Sequence, residues 1–393
     1  MSSPLHLAWQ ERLGIEHGAG QLQAITTLAG KITQRGITSL MLACRLPNFA
    51  PSYQASNAVR ALLAANADPA VASAESQLTA LHVAAESLPP QIQPFPFHGE
   101  TPHTCSSHTP LPSRPHRLPS AVGHLGVIQQ LVEALDPAQI DYPLADGKTA
   151  LMLACKIGHP MTAKVLLGAK ANPLLHEDRS KGTDGFSPVM HAALFGHAEC
   201  VATVLRNAGQ DLDRTARQAL VQGLITAHNG NNFTALHLAA LHGQRRVVQL
   251  LLRERAEVDS ANAKGETPLH VSSKNGHAQV VCALLASGAA ANQVDNAGYT
   301  ALHHCCFTSG GKDVADALME MKAEVNLQDE NQNTPLHLAC TTGNHLTVDT
   351  LLKYKVGESA PSPDFQSTLH PNSHPCLTRI LLSYAVGGRH IAQ

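Results

Sequence analysis

One six-residue phrase recurs along this chain: Thr or Ser, a small residue or Pro, an apolar residue, usually His, a further residue that is mostly apolar, then Ala or another small side chain. Nine copies start at residues 3, 38, 79, 149, 187, 234, 267, 300 and 334, and Thr79-Ala-Leu-His-Val-Ala84, Thr234-Ala-Leu-His-Leu-Ala239 and Thr334-Pro-Leu-His-Leu-Ala339 differ among themselves only by conservative exchanges. Where the register is cleanest the copies lie 33 to 35 residues apart. A period of this length belongs to a supersecondary unit too small to bury its own apolar face, so the units must stack to be stable. This outweighs the chain's length, because 393 residues would ordinarily divide into about two or three globular domains, whereas a stack adds units to one core.

The unit from Asn262 to Asp295 shows the local logic. Lys264-Gly265-Glu266 supplies a turn in which Gly accepts positive φ. Thr267 stands where a hydroxyl caps a helix, and Pro268 takes the first helical position, where its missing N–H costs nothing. Leu269, Val271 and Ser272 open a short helix that Asn275-Gly276-His277 closes. Val280, Val281, Leu284 and Leu285 then give a second helix with an apolar stripe, ended by Ser287-Gly288. The small residues that close the phrase let first helices of adjacent units approach closely.

Thr-Pro-Leu-His-Leu-Ala at 334–339, Asn275-Gly276-His277, Leu250-Leu251-Leu252 and Ala323-Glu-Val-Asn326 together resemble the pattern of the ankyrin-repeat family, over almost the whole chain. The resemblance implies an all-α solenoid of helix-turn-helix units with projecting β-hairpin loops, stacked into a curved array that binds other proteins along its concave face and hairpin tips. It also implies that the phrase histidines, His82, His237, His270, His303 and His337, hydrogen-bond within and between repeats. In similar repeats an Asn eight residues after a Leu, here Asn292 and Asn326, can be hydroxylated by an oxygenase; hairpin hydrogen bonding alone is the favoured reading.

The repeats are punctuated. Residues 1–205 form an N-terminal array interrupted at 88–122 by a Pro-rich segment that cannot hold a helix or pack a core. Joining Glu86 to Gly123 restores an ordinary repeat, so this segment reads as a disordered loop between the two helices of one unit. A tether or peptide ligand and a retained non-coding stretch of the gene both fit that position. Residues 206–230 are a helical insertion, with Ala216, Leu220 and Leu224 at helical spacing. Residues 231–355 are regular repeats, and 356–393 read as an irregular tail or degenerate cap in which only 376–386 is helical in pattern. The first phrase begins at Ser3 with no visible cap, which leaves an upstream portion open.

Composition narrows the function classes. A net charge of −2 offers no bulk attraction to nucleic acid or anionic membranes. No apolar run is long enough to cross a bilayer, and residues 1–20 lack a basic start with an apolar core, which together point to the cytoplasm or nucleus and to no membrane insertion. Charged residues are 15% of the chain, below the usual level of about 25%, which suits protein contacts. Cys44, Cys155, Cys305, Cys306 and Cys340 fall in or beside the phrase and read as reduced core thiols. No phosphate loop, nucleophile elbow or kinase signature is present, so no catalysis and no cofactor are expected.

The 24 histidines invite a metal reading, but periodicity accounts for the phrase set and for His124, His159, His197 and His277, which follow turn glycines. His303-His304-Cys305-Cys306 is the best candidate by composition; neighbours on one helix point apart and cannot converge on one ion, so no metal site is expected there. His98, His103, Cys105, His108 and His116 of the Pro-rich segment are too loosely spaced to define one. Arg245, Arg246, Arg253 and Arg255 form a compact basic group along one helix, read as a solvated face, with an acidic partner segment as the alternative.

Specificity can be written where residues vary over the repeating framework: hairpin tips and the two residues before the turn Gly of each first helix. That surface comprises Phe233, Leu241, His242, Lys264, Glu266, Lys274, Asn275, Asn296, Tyr299, Phe307, Thr308, Glu330 and Asn333. Aromatics are only 4% of the chain, so Phe233 and Tyr299, two repeats apart in the same hairpin slot, are the leading interface anchors; packing over the next hairpin is the competing reading. The sequence therefore reads as a monomeric protein–protein scaffold or adaptor, or alternatively as a regulatory or substrate-targeting subunit of an enzyme such as a phosphatase or ubiquitin ligase.

Overall fold

A computed structural model describes residues 38–45, 52–73, 76–86 and 120–358. The phrase at Ser3, the body of the Pro-rich segment with its His and Cys residues, and the tail beyond 358 lie outside the described residues. The chain divides into two compact units, Met1–Asn172 and Pro173–Gln393.

In the first unit, α1 (Ser39–Arg45), α3 (Ala80–Glu86) and α6 (Ala150–Ile157) pack side by side as first helices. Behind them lie the second helices α2 (Ser52–Ala64), α4 (Ser120–Ala134) and α7 (Pro160–Gly168), with a short α5 (Pro137–Ile140) between α4 and α6. Because α3 packs on α4, the Pro-rich segment joins the two helices of a single repeat.

The second unit repeats this two-layer arrangement. First helices α8 (Pro188–Leu194), α11 (Ala235–Leu241), α13 (Pro268–Lys274), α15 (Ala301–Cys305) and α17 (Pro335–Thr341) form one row. Second helices α9 (Ala198–Asn207), α12 (Arg245–Arg253), α14 (Ala278–Ala286), α16 (Gly311–Glu320) and α18 (His345–Glu358) form the other. The 206–230 insertion contains α10 (Arg214–Thr226), capped by the Asp213 carboxylate, which accepts from the Ala216 N–H at 2.8 Å. Stacking continues past it, α8 on α11 and α9 on α12.

Each first helix starts as its sequence dictates. Thr267 is extended at φ −86°, ψ 168°, with its hydroxyl facing the His270 N–H at 3.5 Å and Pro268 following. From Pro268 to Ser273 every side chain is buried, and Ala239, Ser272, Cys305 and Ala339 are fully so, the close approach that small side chains permit. Buried leucines at each phrase, Leu236, Leu269 and Leu302, stabilise the stack by about 1.5–3 kcal/mol each. Second helices bury one stripe only, such as Val280, Val281, Leu284 and Leu285 in α14.

The loops between repeats project as tight turns, with one isolated antiparallel bridge, His228 to Thr234, among the described residues. The Asp295 N–H donates to the Tyr299 carbonyl at 2.9 Å to close one turn, and the Asn296 N–H donates to Lys264 of the preceding loop at 3.0 Å. The Ala263 N–H reaches Asn231 in the same way at 3.0 Å. Such close contact between tips explains the turn glycines: Gly298 has φ +75°, and a Cβ there would lie 2.9 Å from the Glu330 nitrogen. Gly298→Ala should therefore destabilise the protein by about 1–3 kcal/mol through backbone strain and loss of this contact, measured as a lower urea midpoint at unchanged helicity.

Candidate functional site

From residue 234 on, the loop face of the second unit is organised by one imidazole at the third helical position of each first helix, a place that Met190 takes in α8. The Nδ1 of His237 accepts from the Thr234 N–H at 3.2 Å and faces the Thr234 hydroxyl at 2.9 Å; its Nε2 lies 3.1 Å from the Glu266 carbonyl of the next repeat. His303 repeats this with Thr300 and the Asn333 carbonyl, whereas His270 keeps the contacts to Thr267 but turns its Nε2 to the Gln293 carbonyl at the end of its own unit. A ring nitrogen that accepts a backbone N–H cannot carry a proton, so these rings are neutral with Nε2–H donating to the carbonyl. Burial accordingly lowers the pKa of His237 to about 4 and depresses those of His270 and His303. A second tie comes from His277, whose Nε2 meets the Leu241 carbonyl of the preceding repeat at 3.0 Å.

Two repeats replace the apolar residue after this slot by histidine, and in both it finds a loop carboxylate. His304 Nε2 lies 2.8 Å from Asp295 Oδ2, and His191 Nε2 lies 3.0 Å from Glu177 Oε1, with all four side chains nearly inaccessible. At His304 the cluster extends further: Glu266 accepts from the Asn262 amide at 2.9 Å and from Lys274 Nζ at 2.9 Å. Burial raises the Glu266 pKa, but the hydrogen bonds from Asn262 and Lys274 and the Lys274 charge outweigh it, so the carboxyl titrates below its ordinary range. His304 moves down, because burial exceeds the opposing pull of Asp295. Ligand atoms of Glu266, Asp295 and His304 lie within 4.8 Å of one another, close enough for a divalent ion; here Lys274 and the imidazole N–H already satisfy the carboxylates.

Two readings from the sequence change. Glu266, placed on the binding surface, is buried at 6% exposure, because the Asn262 turn and Lys274 draw its carboxylate inward. His304 does converge with acidic groups, though with loop residues rather than with its helix neighbours. The signal was present, since His304 breaks the apolar slot that Leu238, Val271 and Leu338 keep.

The other surface residues divide by depth. His242, Lys264, Lys274, Asn275, Asn296, Phe307 and Glu330 are exposed, while Phe233, Leu241, Tyr299, Thr308 and Asn333 are half-buried. Phe233 leans on the His237 ring at 5.5 Å. Tyr299 touches His303 at 5.7 Å, His304 at 5.5 Å and Phe307 at 6.1 Å. Both aromatics thus cover framework imidazoles, whereas Phe307 remains 50% exposed. Asn292 accepts from the Glu324 N–H of the next repeat at 2.9 Å. Cys44, Cys155, Cys305 and Cys306 are buried free thiols and Cys340 is half-buried; burial pushes Cys44 up to about 12, which suppresses thiolate chemistry.

The profile described as ankyrin repeats (3 copies) matches residues 119–216, 215–295, 236–329 and 283–364, more than half of the chain. The chain belongs to the ankyrin-repeat family. Similar proteins include E3 ubiquitin-protein ligase XBAT33 of Arabidopsis thaliana, 31% identical over 37% of this chain and 30% of that protein. Ankyrin repeat and SAM domain-containing protein 6 of Danio rerio is 32% identical over 36% of this chain and 17% of its own length. The matches thus span under a third of these relatives' length. Among solved structures, the ankyrin repeat domain of Bcl-3, described as a unique member of the IkappaB protein family, is 25% identical with a TM-score of 0.48, over 59% of this chain and 95% of that one. Ankyrin repeats are a non-catalytic, protein-binding fold. Among the described residues no helix is long and apolar enough to cross a membrane.

The framework imidazoles set a pH dependence. An unfolded His237 takes a proton near its ordinary 6.5, the folded one only at about 4, so its contribution to stability is full above pH 6.5 and is lost as pH falls from 6.5 to about 4. Urea unfolding should show a loss on the order of 3 kcal/mol from this group between neutral pH and pH 4. His237→Gln should flatten that slope while lowering stability at pH 7.5; an unchanged slope would exclude His237 as a contributor.

Proposed function

We propose that this protein is a non-catalytic scaffold or adaptor that binds partner proteins through the hairpin tips and first-helix ends of residues 229–344. One observation supports it above the others: framework side chains there are committed to one another, whereas Lys264, Lys274, Asn275, Asn296, Phe307 and Glu330 stand exposed at variable positions of that rigid frame. Phe307, packed edge-on against Tyr299 and half exposed, supplies an aromatic anchor next to Thr308. Phe233 and Tyr299 contribute by holding the loops in place more than by direct contact, and Leu241, His242 and Asn333 extend the same surface. The protein works as a monomer that recognises proteins rather than nucleic acid.

A second reading has its own support in the similarity to proteins named E3 ubiquitin-protein ligase: the repeats deliver a bound protein to a ligase. Under that reading, ligase components co-purify with the chain and survive loss of the delivered protein.

Partners captured from native cell lysate on the immobilised chain and identified by mass spectrometry provide the test. Phe307→Ser should weaken binding of the purified partner by about 2 kcal/mol or more, roughly thirtyfold, with an unchanged urea midpoint. Equal binding by the variant would remove Phe307 from the interface.

A further inference from the structure

The basic group visible in the sequence does not stay together. Arg245 and Arg246 sit at the start of α12, whereas Arg253 and Arg255 at its other end line one groove with Arg206 from α9 and Arg214 and Arg217 from α10. These five arginines, with Glu254, line a groove of about 380 Å³ on the second-helix layer. The inserted helix creates it. Arg217 donates to the Arg206 carbonyl at the end of α9, and Gln222 Nε2 donates to the Glu254 carbonyl at the end of α12, 3.4 Å away, so α10 is tied to the C-terminal ends of two successive second helices.

Ordinary helix electrostatics explains only part of this arrangement. Arg206 and Arg253 lie in last turns, where a cation is favoured, but Arg214 and Arg217 lie in the first turns of α10, where the macrodipole opposes them. Arg214, Arg217, Gln218, Val221 and Gln222 share one face of α10, and that face looks into the groove. Among the described residues none of the five guanidinium groups has a carboxylate within ion-pair distance, and four of the five side chains are exposed. Five guanidinium groups around one groove outnumber its single carboxylate, Glu254, so the groove carries a net positive charge that an incoming anion would offset.

We propose that this groove binds a peptide segment carrying a phosphorylated serine or threonine. Guanidinium forks match phosphate oxygens two at a time, and a phosphate concentrates about two negative charges in a space that such a groove accommodates. The site is compact and lined by no aromatic side chain, whereas nucleic acid calls for an extended basic track or stacking platforms. It is separate from the loop face and independent of Phe307.

The test uses the full chain and fluorescence anisotropy with a fluorescein-labelled peptide of Asp, Gly and one phosphoserine, the same peptide with serine, a labelled oligouridine, and vesicles containing phosphatidylinositol bisphosphate. The phosphopeptide should bind about tenfold more tightly than its serine form and weaken as salt rises. Arg214→Gln with Arg253→Gln should cost about tenfold in affinity at unchanged far-UV circular dichroism, whereas Arg245→Gln with Arg246→Gln, the same change in net charge, should leave binding intact. Phe307→Ser should also leave it intact, which separates this site from the loop face. Equal binding of the two peptides, equal loss in both arginine double variants, or tighter binding of oligouridine or vesicles than of the phosphopeptide would overturn the proposal.

Discussion

The structure depends on an imidazole held at both nitrogens. At His237 and His303 Nδ1 secures the helix cap of its own unit while Nε2–H reaches a loop carbonyl of the next, so one ring joins local structure to the stack. Each such bond adds only about 0.5–1.5 kcal/mol net, but leaving a buried polar group unmade costs about 1–3. The interaction therefore acts chiefly through register: a repeat displaced relative to its neighbour would leave a buried N–H and a buried carbonyl unsatisfied. Registered loops are what place variable side chains at fixed intervals along one face.

The two departures from the framework show how chemistry is grafted onto it. Histidine in the apolar slot, at His191 and His304, brings a second buried polar ring that must find an acceptor, and the loop carboxylates Glu177 and Asp295 supply it. At His304 the cost of burial is offset by a wider network in which Lys274 neutralises Glu266. The consequence for recognition is direct, since Glu266 leaves the surface and Lys274 is half committed to it.

Insertion of α10 acts differently. It leaves the stacking of α9 and α12 in place and adds a polar wall beside their C-terminal ends. A regular repeat exposes one variable face, the loops; an inserted helix builds a second on the second-helix layer, at residues of which only Arg217 and Gln222 also tie the helix to its neighbours. Ankyrin stacking tolerates this because each unit answers only to its neighbours.

Much of the fold was legible in the residues themselves. The Thr caps, the Pro at first helical positions, the turn glycines and the apolar stripes are local signals with local causes, so they located both helices of each regular repeat and the helix within 206–230. The sequence reading of a repeat split by the Pro-rich segment rests on the same local signals, and α3 packs on α4. Depth at the loop face was not. Glu266 and Tyr299 share the slot just before the phrase, yet one is buried and the other half-buried, because Asn262 and Lys274 draw the Glu266 carboxylate inward while Tyr299 lies over the His303 and His304 rings. The same holds for His304 with Asp295 and Glu266, and for Arg206, Arg214 and Arg217 with Arg253 and Arg255. By itself, then, the sequence determined the repeating unit and the need for it to stack, since both follow from interactions within a few residues. Only the tertiary structure decided which polar side chains meet, because that depends on how neighbouring units register across some thirty residues of chain.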